Sequence, residues 1–197
     1  MRNHLTVCFY VLLAAVVARP DLGLAQEAEA PETFIANAQV LGKEAGASAE
    51  VTIHVERYTE ERHRTTMLNA LRDGGYPNLL KILRTMPEVG YVEMNGRKVS
   101  VMWARQVATG KGRSISIVTD RPLAFVGGAA IDAKPRAGYE LAILQFDVDT
   151  IGIGTGSMAA AARVKPGGET GVQVDDYAEA PIKLVTVRKS FKTSTRP

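Results

Sequence analysis

Cysteine is all but missing from this chain. The single one, Cys8, lies in an apolar N-terminal run. The sequence beyond that run therefore has no thiol for a disulfide, a nucleophile or a thiolate metal site. No cysteine stands where the run ends either, which excludes a lipid-modified terminus there. Histidine is scarce, and only His54 and His63 lie beyond the first few residues. Aromatic residues make up 6% of the chain, with one tryptophan. A nucleic-acid surface needs a basic stripe interleaved with aromatic platforms. Here 24 basic and 21 acidic side chains give a formal charge of only +3. The basic ones are dispersed, apart from Arg188, Lys189, Lys192 and Arg196 near the end, so a solvated surface is expected and no nucleic-acid partner.

Long hydrophobic runs are missing too, with one exception. Residues 5–17 are apolar, follow Arg2 and His4, and are broken by Arg19, Pro20 and Asp21. A membrane span needs ~20 apolar residues, so this run reads as the core of a signal peptide. Gly23-Leu24-Ala25 puts small residues where a signal peptidase reads them. The expectation is cleavage after Ala25, leaving Gln26 first, and a periplasmic or secreted product. About 170 residues then remain, enough for one domain with a full core.

Residues 59–86 are the one clearly helical stretch. Thr59 is the expected N-cap, with Glu60 and Glu61 behind it where the helix dipole favours acids. Met67, Leu68 and Leu71 share a face. Gly74-Gly75 is expected to stop this helix and Pro77 to open a second, carrying Leu79, Ile82, Leu83 and Met86. Two short apolar stripes need a sheet to pack on.

The rest reads as strands. Residues 33–41 form a first one. In 50–58, Val51, Ile53 and Val55 alternate with Thr52, His54 and Glu56, as in a sheet wet on one side. Asn95-Gly96 between two apolar-patterned runs is a strong hairpin signal. In its second arm Val99, Val101, Trp103 and Val107 are expected to share a face with Arg105. Residues 114–119 follow, then a small-residue loop over 127–138. Residues 139–148 are apolar on both faces, which suits a strand covered on both sides. Residues 151–164 accept either a bent strand or a helical turn. Two more strands, 171–175 and 182–188, end the pattern.

This order predicts an α+β fold: a mainly antiparallel sheet, closed as a sandwich or half-open barrel, with one helix-turn-helix pair packed on it. The expected divisions are a signal peptide over 1–25, a disordered leader over 26–32, one domain over 33–189 and a flexible tail over 190–197.

Several motifs suggest chemistry. Gly154-Thr155-Gly156-Ser157-Met158-Ala159 fits a dinucleotide fingerprint, and Asp175 follows at the spacing of a ribose-binding acid. Pro166 leaves room for only a short helix there and no second βαβ unit exists, so a glycine-bent hairpin is favoured and no cofactor is expected. Asp147-Val148-Asp149 with Gly152 resembles part of a calcium loop but lacks the distal acid, so a turn is favoured. His54 and His63 are weak metal candidates that would have to meet beside Glu56 or Glu60. No G-x-S-x-G occurs. Arg105 on an otherwise apolar face must pair or meet a ligand. Either it finds Asp120 or Glu140, or with Trp103 it holds an anionic ligand in a cleft.

Residues 51–86, Pro87-Glu88-Val89-Gly90 and Ile117-Val118-Thr119-Asp120-Arg121-Pro122 resemble a group of exported bacterial proteins to which no activity is assigned. The resemblance implies export and carries no catalytic residues. The leading expectation is a non-catalytic binding or envelope-associated domain, whose partner is a ligand or an envelope protein. The alternatives are a periplasmic hydrolase with an Asp/Glu/His site, or a carrier of a small apolar ligand lined by Trp103, Phe146 and Met158.

Overall fold

The computed structural model describes residues 30–40, 48–123, 136–168, 171–178 and 180–191. The expected cleavage point after Ala25, most of the expected 127–138 loop and the end of the expected tail lie outside them. Among the described residues the elements are β1 (Glu32–Val40), β2 (Ser48–Val55), α1 (Glu61–Leu83), β3 (Gly90–Met94), β4 (Arg97–Thr109), β5 (Gly112–Thr119), β6 (Leu141–Asp149), β7 (Ile153–Pro166), β8 (Val172–Tyr177) and β9 (Ile182–Ser190).

The strands run β6-β5-β4-β3-β2-β1-β9-β7, every pair antiparallel, and β7 pairs again with β6. This closes an eight-stranded barrel, with β8 attached to the flank of β7. A closed antiparallel barrel replaces the expected sandwich or half-open barrel. The physical reason is β7. Its 14 residues pair with β6 on one side, and on the other with β9 and then β8. One long strand thus joins both ends of the sheet and removes the free edges a half-open barrel would leave.

The expected helix pair is corrected as well. α1 is a single element of 23 residues with a kink. At Gly75 φ is 65°, a left-handed value that glycine adopts without a Cβ clash. The break at Gly75 divides α1 into two helical segments with no loop between them, and Pro77 stands in the first turn of the second, so one kinked element replaces the expected helix-turn-helix pair. Thr59 does not cap it either. Its hydroxyl accepts the Ala104 amide at 3.0 Å, and Glu60 takes the N-cap position. Asn95 and Gly96, with φ of 52° and 72°, make the tight turn between β3 and β4.

Two apolar clusters share the barrel wall. The inner one includes Phe34, Ile53, Ile115, Ile117, Leu144, Phe146, Met158 and Leu184. Phe34 and Phe146 meet edge to face at 5.1 Å. Eight strands leave an interior about wide enough for such side chains to fill. The outer cluster lies beneath α1, where Met67, Leu68, Leu71, Leu79 and Leu83 cover Trp103, Val118, Leu141 and Ile143. β6 is therefore covered on both faces, as its sequence indicates.

On the strands α1 leaves bare, the outward positions are mostly polar: Thr33 and Asn37 on β1, Glu50, Thr52 and His54 on β2, Lys183, Thr186 and Arg188 on β9. Apolar inside and polar outside is the reverse of a lipid-facing barrel wall. No helix among the described residues is long and apolar enough to cross a membrane.

Candidate functional site

A bulge in β4 decides what Arg105 faces. The β4–β5 register shifts between Val101 and Trp103. The extra residue breaks the alternation, so Val101 and Ala104 point into the barrel while Met102 and Trp103 join the cluster under α1. Val101 and Trp103 therefore do not share a face, contrary to the plain alternation. Trp103 and Arg105 do, and both lie on the outer wall. Opposite Arg105 in register is Ser116 of β5, and opposite Ser116 is Gln145 of β6, whose amide donates to the Val172 carbonyl at 3.2 Å.

Trp103 and Ser116 are each 1% exposed. Trp103 Nε1, Arg105 Nε and Ser116 Oγ are buried and have no hydrogen-bond partner among the described residues. All three are donors on neighbouring positions of one surface. Leaving a buried donor unmet costs about 1–3 kcal/mol, and a native structure rarely tolerates several together.

The charges around them have a sign. Arg64, in the first turn of α1, makes a two-pronged hydrogen bond to Glu61. Arg105 Nη1 stands 4.0 Å from the same carboxylate. Two guanidiniums thus share one acid. Burial, and then the neighbouring Arg64, hold Arg105 below the usual arginine range, with Glu61 pulling the other way. Asp120 pairs with Arg121 and so does not serve Arg105. Arg105 remains about a quarter exposed, at 26% of its side chain, so the cluster is reachable from solvent at the guanidinium end.

The chain matches no protein-family model, no curated protein and no solved structure. What the site does must come from its chemistry.

The other sequence candidates fall elsewhere. His54 Nδ1 meets the Thr33 hydroxyl at 2.9 Å and Nε2 meets Glu56 at 3.1 Å, and the ring stacks on Tyr91. His63, on α1, is not part of that set. Among the described residues no group of three His, Asp or Glu side chains could hold a metal ion. Trp103 lies outside the barrel wall while Phe146 and Met158 lie inside it, so these three do not line one cavity. Asp149 Oδ1 accepts the amides of Ile151 and Ile153 at 3.0 and 2.9 Å, which makes the 147–152 stretch a hairpin turn. Gly154 and Gly156 lie within β7, and no helix starts behind them. A groove of about 320 Å³ crosses the outer face of β1, between Glu50 of β2 and Arg188 of β9.

A second charged cluster was not visible in the sequence. Glu32, which composition assigns to the leader, is the first residue of β1, and its side chain is fully buried. It accepts two hydrogen bonds from Arg113, both at 2.7 Å, one from the Tyr58 hydroxyl, and an ion pair from Lys189 at 3.0 Å. Gln106 Oε1 accepts a further bond from Arg113 at 2.6 Å, and the guanidinium lies over the Phe34 ring. This network caps the apolar interior at one barrel end. The only hint in the sequence is that Glu32 falls two before Phe34, in step with the inward alternation.

Burial alone would raise the Glu32 carboxyl. Hydrogen bonds from Arg113, Tyr58 and Lys189 outweigh it and hold the group below the ordinary glutamate value. The stability this adds is fully present above the unfolded pKa of ~4.3 and drains away as pH falls through the depressed folded one. In urea titrations, Glu32→Gln is expected to flatten the loss of stability between neutral pH and pH 3. An unchanged slope would show that Glu32 is not a source of acid lability.

Proposed function

We propose that this chain is an exported, non-catalytic binding domain that takes a small oxyanion, a carboxylate or phosphate-like group, between the start of α1 and the outer wall of β4 and β5. The observation that carries the reading is the set of three buried, unpartnered donors: Trp103 Nε1, Arg105 Nε and Ser116 Oγ. An acceptor-rich ligand would meet donors that the described residues leave unpaired. The surplus guanidinium charge of Arg64 and Arg105 over Glu61 favours a negative one. Export rests on the apolar run 5–17 and the Gly23-Leu24-Ala25 site. Terminal sequencing of protein recovered from a secreting host is expected to begin at Gln26; a product retaining Met1 would overturn export with cleavage.

Trp103 is the chain's one tryptophan, so its fluorescence reports on the site directly. Titration with acetate and with inorganic phosphate is expected to give a saturable change for at least one of them. Arg105→Gln should weaken that binding about tenfold to a hundredfold, the worth of a charged hydrogen bond, while circular dichroism stays unchanged. No response to either anion, or a response indifferent to Arg105→Gln, removes the proposal.

A further inference from the structure

Among the described residues large apolar side chains are mostly buried, and three of the four exposed ones lie at one end of the barrel. Ile151 is 64% exposed, Ile153 52% and Phe191 77%. Ile151 lies in the turn between β6 and β7, and Ile153 is the first residue of β7. The Lys189 amide donates to the Gly152 carbonyl at 2.8 Å, which fastens the end of β9 to that turn just before Phe191. The three side chains thus project from neighbouring chain segments. Isolated exposed apolar residues are ordinary, but a group of this kind marks a contact surface.

Two cations stand beside them. Arg188 is the register partner of Ile153. Lys111 precedes Gly112, the register partner of Asp149, so it stands at the tip of the adjacent β4–β5 turn. Neither cation has a carboxylate partner among the described residues. Two acids lie on the same side: Asp149, two residues before Ile151, has its Oδ1 bonded to the turn amides. Asp147 is exposed on β6, farther from the tip.

We infer that this barrel end docks on an anionic lipid surface, with Ile151, Ile153 and Phe191 entering the headgroup boundary and Lys111 and Arg188 meeting the lipid phosphates. The shape favours this occupant. The apolar groups stand on a protruding turn and a strand end, not around a groove, and a soft interface accepts protrusions that a protein partner would have to match with pockets. Apolar insertion and basic attraction are also the two signals that together give stable peripheral binding.

Cosedimentation with vesicles separates the outcomes. The whole protein is expected to bind phosphatidylglycerol-containing vesicles at least tenfold better than pure phosphatidylcholine ones, and less well at high salt. Ile151→Ser with Ile153→Ser should lower binding by tenfold or more. These side chains are exposed, so the thermal midpoint should not move, which keeps loss of binding distinct from loss of fold. Two results would overturn the inference. One is equal binding by the double variant or no binding by the wild type. The other is a dimer by sedimentation equilibrium that the double variant abolishes without any lipid effect, which would make a second copy the occupant.

Discussion

Glu32→Ala is expected to destabilise the barrel by about 3 kcal/mol. Removing one partner of a buried ion pair costs about 3–5 kcal/mol, because the remaining charge stays desolvated and unpaired. Here it strands Arg113, Lys189 and the Tyr58 hydroxyl together. The lower end of that range applies because the cations have a way out. Arg113 is 16% exposed and Lys189 28%, so both can turn partly toward water once the carboxylate is gone. The Tyr58 hydroxyl, a part-buried donor, loses its carboxylate acceptor. A double-mutant cycle with Arg113→Met checks the account. In the Glu32→Ala background the second change should be far less damaging than in the wild type. Simple additivity would mean that the two residues do not act as a pair.

The second large effect is expected at the glycines of β7. Gly156→Val should cost about 3 kcal/mol, or about 10 °C in thermal midpoint for a chain of this size. A Cβ on Gly156 would run into Phe146 and the Gln145 carbonyl, and one on Gly154 into the Asp147 carbonyl. These are mostly backbone neighbours that cannot swing aside. Gly156 is the register partner of Phe146, whose ring meets Phe34 in the interior. Added bulk therefore opens the seam between β6 and β7, the pairing that closes the barrel. Thr155→Val, on the outward side of the same strand, is the control and should be nearly neutral. If both substitutions cost the same, the seam is not held by close approach at the glycines.

Those glycines show what could and could not be read from the chain. Gly154-x-Gly156 matches a phosphate-cradling fingerprint and also a strand that passes close to its neighbour, and the local sequence fits both. The short distance to Pro166 favoured the strand, but not the reason for the glycines, which lies in Phe146 and Asp147 across the seam. Trp103 and Arg105 were legible as a pair to consider together, because a strand position with a charge among apolar neighbours is anomalous wherever it sits. Their face was not legible, since one bulged residue reverses it, and neither was Ser116, which nothing in its own neighbourhood singles out. Glu32 was hidden for the same reason. Its partners lie 26, 81 and 157 positions away in the chain.

What the chain determined alone is what depends on residues a few places apart. That covers the apolar stripes of the helix, the Asn95-Gly96 turn, the alternation of β2, the two-faced burial of β6, and the absence of any thiol chemistry beyond Cys8. Whether the sheet closes, which wall Arg105 stands on, and that Glu32 is a buried hub belonged to the tertiary structure. Each depends on register between distant strands, where a shift of one residue turns every side chain to the opposite face.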